Sequence, residues 1–202
     1  MPMSEGSGRV NQKARTRKAI VDACRELTAS GAEVTMPRVA ERAMVSEATA
    51  YRYFPDLVTL LQEALTGLWP EPEQALAPVM ASADPVERVA FACDYLLRGV
   101  NAYAGSVRAM ISHTVAAPGT AHTARPGYRF GLIDCALAPF ADAGGPLSLK
   151  PDAMADLKLD LAVAVSAEAF FTLTDLCGLP PDDAITSAVR TASTLTRAAF
   201  AA

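Results

Sequence analysis

The stretch Val34-Thr35-Met36-Pro37-Arg38-Val39-Ala40-Glu41-Arg42-Ala43-Met44-Val45-Ser46-Glu47-Ala48-Thr49-Ala50-Tyr51-Arg52-Tyr53-Phe54-Pro55-Asp56 decides the fold. Thr35 stands where a helix N-cap belongs, and Pro37 is tolerated in the first turn that follows. Ser46 opens a second short helix, with Glu47 suited to its positive end. Phe54-Pro55 closes that helix, and Asp56 can cap another running to about Leu68. Val39, Ala40, Val45 and Ala50 are small or branched, so two helices can cross closely. Upstream, Thr16 to Ser30 repeats Ile20, Ala23, Cys24 and Leu27 at i, i+3, i+4 and i+7. That spacing makes one apolar stripe, and Gly31 supplies its stop.

Three short helices with a capped turn between the second and third form a helix-turn-helix. The third helix then presents Glu47, Ala48, Thr49, Tyr51, Arg52 and Tyr53 toward a DNA major groove. The charge distribution agrees. The whole chain of 202 residues has a net charge of −4 and a pI near 5.2, which by itself argues against a polyanion partner. Up to Asp56, however, nine Lys and Arg face seven acids, a net of +2, and the remainder carries −6. Five of those nine bases fall between Arg9 and Lys18, where no acid occurs. Lys13, Arg15, Arg17 and Lys18 are thus candidate phosphate contacts, and Arg38 joins them from the second helix.

The rest of the chain also reads as helix. Half the residues are hydrophobic, Ala is abundant, and no stretch alternates with a period of two. Trp69-Pro70-Glu71-Pro72 marks a boundary, giving an arm and DNA-binding domain at 1–56, a connecting helix at 57–70 and a second helical domain at 71–202. Helices are expected from Pro85 to about Ala104, Ser106 to Ala116, Tyr128 to Ala141, Pro151 to Leu176 and Asp182 to Phe200. The fourth of these is apolar nearly all round from Leu161 to Leu173, so it is expected to be buried on both sides. Residues 117–127, with two Pro-Gly pairs, read as a loop. Cys24, Cys93, Cys135 and Cys177 are far apart and lie among Ala, Leu or Val, as buried thiols of a reducing compartment would. No uncharged apolar run reaches bilayer length, and the first eleven residues lack the apolar core of a secretory leader. A cytoplasmic protein is expected.

Residues 12 to 62 resemble the N-terminal domain of the TetR family of transcriptional regulators. The resemblance rests on the first helix ending in Gly31, then Val34-Thr35, Val39-Ala40-Glu41-Arg42-Ala43, Val45-Ser46, Thr49-Ala50-Tyr51-Arg52-Tyr53-Phe54 and Leu60-Leu61. It implies an all-helical, two-fold dimer whose variable second domain binds a small molecule. It also implies phosphate contacts for Tyr51 and Tyr53. Two positions depart from the family pattern. Met44 replaces the usual turn Gly, and Leu57 replaces the Lys or Arg that opens the fourth helix.

On this reading Arg52 contacts guanine, Thr49 is a secondary base reader, and Glu47 accepts from cytosine N4. Thr35 and Ser46 cap helices and offer hydroxyls to phosphate. In the second domain Trp69, Phe91, Tyr95, Tyr103, His113, Phe130, Asp134 and Phe170 are candidate pocket residues, with core packing as the competing role of each. The last two helices are the expected dimer interface. An enzyme is not expected: His113 and His122 lack metal-ligand spacing, and neither a nucleophile elbow nor a phosphate-binding Gly loop occurs. No cofactor or metal is expected. The expected function is transcriptional regulation, with repression as its sense, at a pseudo-palindromic DNA operator and under control of a small-molecule effector. The alternative is a helical dimer that binds a ligand or protein partner and has lost DNA affinity through Met44 and Leu57.

Overall fold

The structure is a computed structural model describing residues 5–65, 67, 69–116, 119, 127–141 and 147–201. The expected loop at 117–127 lies outside the described residues except for Gly119 and Gly127, and so does the side chain of His113. The described residues form eleven α-helices with short 3₁₀ and π turns and no strand. None of these helices is long and apolar enough to cross a membrane. Two compact units result. One joins residues 1–69 to 102–125, and the other joins 70–101 to 126–202.

In the first unit α1 (Glu5–Ala29), α2 (Met36–Arg42), α3 (Glu47–Tyr53) and α4 (Leu57–Leu65) are joined by α7 (Ala104–Ala116). The helix α1 starts well before Thr16, so it carries the basic segment Arg9 to Lys18 along its length. It stops through backbone bonds from Ala32 N–H to the Leu27 carbonyl at 3.2 Å and from Gly31 N–H to the Thr28 carbonyl at 3.2 Å. This is a Schellman motif, and Gly31 takes the required left-handed turn at φ 68°. Ile20, Cys24, Val39, Ala40, Ala50, Phe54, Leu60 and Leu61 fill the core that these helices enclose, and Met110 of α7 completes it.

The turn between α2 and α3 repeats the same device. Val45 N–H bonds the Ala40 carbonyl at 2.9 Å and Met44 N–H bonds the Glu41 carbonyl at 3.0 Å. Met44 therefore occupies the left-handed position, with φ 54°. A Cβ there costs about 1–2 kcal/mol, and the Met44 side chain, 92% exposed, gains little packing in return. Met44→Gly is accordingly expected to raise unfolding stability by about 1 kcal/mol. A urea midpoint that stays put or falls would contradict this.

Caps divide the sequence much as expected. Ser46 accepts from Thr49 N–H at 3.2 Å, and Asp56 accepts from Thr59 N–H at 2.7 Å. Thr35 sits at the N-cap of α2, but its side chain makes no capping bond. Pro37 lies in that first turn and has no N–H to satisfy, so fewer donors there need a cap.

The second unit contains α5 (Pro72–Ala75), a 3₁₀ turn (Ala77–Val79), α6 (Pro85–Ala102), α8 (Tyr128–Leu137), α9 (Pro151–Ala164), α10 (Ala167–Phe171) and α11 (Pro181–Ala201). At its centre Arg88 is fully buried. Its guanidinium donates to the carbonyls of Ala136 at 2.7 Å, Cys135 at 2.9 Å, Met80 at 2.8 Å and Val79 at 3.1 Å. These carbonyls end α8 and the 3₁₀ turn, where backbone dipoles point their negative ends outward. One cation thereby ties two chain reversals together.

Three expectations are corrected here. The helix foreseen from Pro151 to Leu176 is broken at Val165, whose ψ is 67°. Ser166 accepts from Ala169 N–H at 3.0 Å and starts α10 anew, which then widens into a π turn at Thr172–Leu176. A hydroxyl that can cap competes with continued helix, and here capping wins. The run from Leu161 to Leu173 is also not buried on both sides in this chain, since Val163 is 74% exposed. The cysteines differ among themselves as well. Cys24 and Cys93 are buried, and burial pushes their thiols up to about 11 and about 12, so neither is a thiolate at neutral pH. Cys135 is half-buried and Cys177 exposed, because the turn after α10 faces outward.

Candidate nucleic-acid interface

Side-chain direction along α3 follows from its seven residues. Ala50 points into the core and is fully buried, so Glu47, Ala48, Tyr51 and Arg52 face outward. Thr49 and Tyr53 are half-buried at the edges of this face, with the Tyr53 ring packed against the core. The Arg52 guanidinium lies 5.7 Å from the Tyr53 ring centroid, a cation–π contact that holds the arginine beside α1. Gln12, Lys13, Arg52 and Tyr53 line one concavity of about 390 Å³. The structure thus brings the outward face of α3 together with the basic part of α1. At the start of α3 the Ser46 and Thr49 hydroxyls are 2.9 Å apart.

The expected phosphate donors fall into two groups. Lys13 and Arg15 are exposed and make no ion pair among the described residues. Lys18 pairs with Asp22 at 2.5 Å, and Arg38 lies 4.0 Å from Glu33. These pairs are exposed, so water and salt weaken them and phosphate can compete. Arg17 is different. Its Nε and Nη2 donate to the two carboxylate oxygens of Glu63 of α4, its Nη1 donates to the Tyr53 carbonyl at 3.3 Å, and the guanidinium covers the Phe54 ring at 4.4 Å. Arg17 therefore fastens α1 to α4 and to the end of α3. Leu57, at the opening of α4, packs against the core.

The candidate pocket residues are divided between the two units, and the side chain of His113 lies outside the described residues. Trp69 and Tyr103 lie in the first unit, ring to edge at 6.1 Å. Phe91 and Tyr95 stack at 6.5 Å on α6. Phe130 is exposed beneath Arg129, Asp134 is exposed and pairs with Lys158 at 2.7 Å, and Phe170 is a core residue against Phe171. The second unit instead has a cavity of about 650 Å³ between α9, α10 and α11, lined in part by Arg129, Val163, Ser166, Thr172 and Leu195. None of the candidate residues lines it. Its walls are mostly Ala, Val, Leu, Ser and Thr, residue types that carry no binding signature in a sequence. The one structural hint there, the capping Ser166, lies inside an otherwise helical run.

No curated protein matches the chain. Residues 20–64 match the model of the bacterial regulatory proteins of the tetR family. The match spans α1 from Ile20 through α4, the same segment whose core, caps and outward α3 face are described above. Residues 20–64 are thus an N-terminal helix-turn-helix domain of the tetR family type, followed among the described residues by further helices and no strand.

Proposed function

We propose that the chain is a DNA-binding transcriptional regulator of the TetR kind, a cytoplasmic, homodimeric repressor whose operator affinity answers to a small molecule. The observation that carries the DNA part is the joint surface of α3 and α1. Arg52 of α3 shares a concavity with Lys13 of α1, while Tyr51 stands outward on α3 and Arg15 is exposed on α1. On this reading Arg52 reads a guanine, with Thr49 and Glu47 as weaker base contacts and Ala48 against a thymine methyl. Lys13, Arg15, Lys18, Arg38, Tyr51 and Tyr53, with the hydroxyls of Thr35 and Ser46, meet phosphates. Arg17 acts through the position of α1.

The second unit supplies dimerisation and effector binding. Leu159 and Val163 stand exposed on α9 and Leu176 follows α10, a long apolar exposure for a monomer. Pairing α9–α11 with a second copy would cover it, giving two recognition helices roughly 34–36 Å apart. An effector that favours one arrangement of the dimer shifts the population and with it operator affinity.

Selection of bound duplexes from random DNA, with sedimentation of the purified protein alongside, tests this. A recovered pseudo-palindrome and a dimeric mass are expected. Sequence-blind binding that vanishes with salt would refute the operator, and a monomer at micromolar concentration would refute the dimer.

A further inference from the structure

The first unit closes over a helix that lies far along the chain from its DNA-facing residues. Helix α7 begins two residues after α6 ends, yet Met110 belongs to the core of α1–α4, with Ala109 packed beside it. Its first turn seats against the end of α1 at two points. A Cβ at Gly105 would lie 3.1 Å from the Ala32 carbonyl oxygen, the residue whose N–H completes the Schellman stop of α1. One residue on, the Ser106 hydroxyl meets the Thr28 hydroxyl at 2.8 Å, and both side chains are buried. A buried hydroxyl pair fixes one register, since sliding by a turn would part the two groups and leave Thr28 with Cys24 alone. The missing side chain at 105 permits the approach, and the hydroxyl at 106 locks it.

The helix held in this way is the one that carries Lys13 and Arg15. They lie about 20 Å along α1 from Thr28, at 1.5 Å per residue, and a continuous helix transmits a tilt at one end to the other. Resting on the proposed operator recognition, we propose that Gly105 and Ser106 are positioning residues for DNA binding. They seat α1 so that its cations meet phosphates in register with the α3 face.

The test uses the full-length chain and two duplexes of equal length, the wild-type selected site and a random sequence. Gly105→Ala forces the Ala32 carbonyl to give by a few tenths of an ångström, and specific affinity is expected to fall about tenfold. Affinity for the random duplex, its salt slope and the circular dichroism stay as in wild type. Ser106→Ala, which removes the contact between the Ser106 and Thr28 hydroxyls, lowers specific affinity in the same selective way, and Thr28→Ser, which keeps both hydroxyls, does not. Wild-type specific affinity in both Gly105→Ala and Ser106→Ala overturns the proposal. So does an equal loss on both duplexes together with lost helix content, which marks a purely structural role. A wild-type protein that selects no sequence removes the operator reading itself and this inference with it.

Discussion

Arg88→Met is expected to lose about 3–5 kcal/mol of unfolding stability, the largest single-residue effect in the second unit. Methionine matches the length of the arginine stem, so the change removes the guanidinium with little change of volume. Four carbonyls then lose a charged donor. Those of Cys135 and Ala136 end α8, and those of Val79 and Met80 end the turn before α6. Each buried acceptor without a partner costs about 1–3 kcal/mol, although Val79 keeps the N–H of Ser82. A domain of this size has only about 5–15 kcal/mol of stability in total. Chemical denaturation should therefore show a much lower midpoint, with the tryptophan-free second unit followed by circular dichroism. Arg88→Lys restores only part of the loss, since an ammonium has three donors and no planar fork. A shift below about 1 kcal/mol for the methionine variant would mean that water replaces the guanidinium at these carbonyls.

Replacing Lys13, Arg15 and Arg52 together by Ala is expected to weaken operator binding by about 10²–10⁴-fold, on the basis of about 1–3 kcal/mol for a base contact plus lost counterion release. The signature lies in the salt dependence. If the three cations touch phosphate or base, the slope of log affinity against log salt should flatten by about 2. Arg52→Ala alone should relax sequence preference more than it changes that slope. Arg17→Ala provides the contrast. Its guanidinium bridges Glu63, Tyr53 and Phe54, so its loss should loosen the head thermally and change the salt slope little. An unchanged affinity in the triple variant would exclude the joint surface of α1 and α3 from DNA contact.

The local grammar of the head was legible. Gly31 ends α1, Ser46 and Asp56 cap as their side chains allow, and Met44 takes the backbone turn at which a glycine is usual. Such features act over three or four residues and are written in residue type. Three features were not legible for the same reason in reverse. Arg17 turns inward because Glu63 waits 46 residues away. Ser166 breaks the run from Pro151 because a cap outweighs an apolar pattern that continues on both sides of it. The cavity between α9, α10 and α11 is walled mostly by small aliphatic and hydroxyl side chains, with Arg129, Asp160 and Glu168 at its edge brought in from separate helices, and none of the residues singled out in the sequence lines it. Long-range partners and negative space have no local spelling.

The place of Met110 in the head also bears on the order in which the protein is made. Among the described residues, every other buried member of that hydrophobic cluster lies between Ile20 and Leu65. Synthesis proceeds from the N-terminus, and domains tend to fold as units while the chain emerges. Here the recognition helix is complete long before the residue that closes its core exists. A nascent chain that has reached residue 70 holds α1 to α4 with one side of their core uncovered. It must wait for α6, which belongs to the other unit, before α7 arrives. The two units are thus interleaved in time as well as in sequence, and neither can finish folding until synthesis of the other is under way.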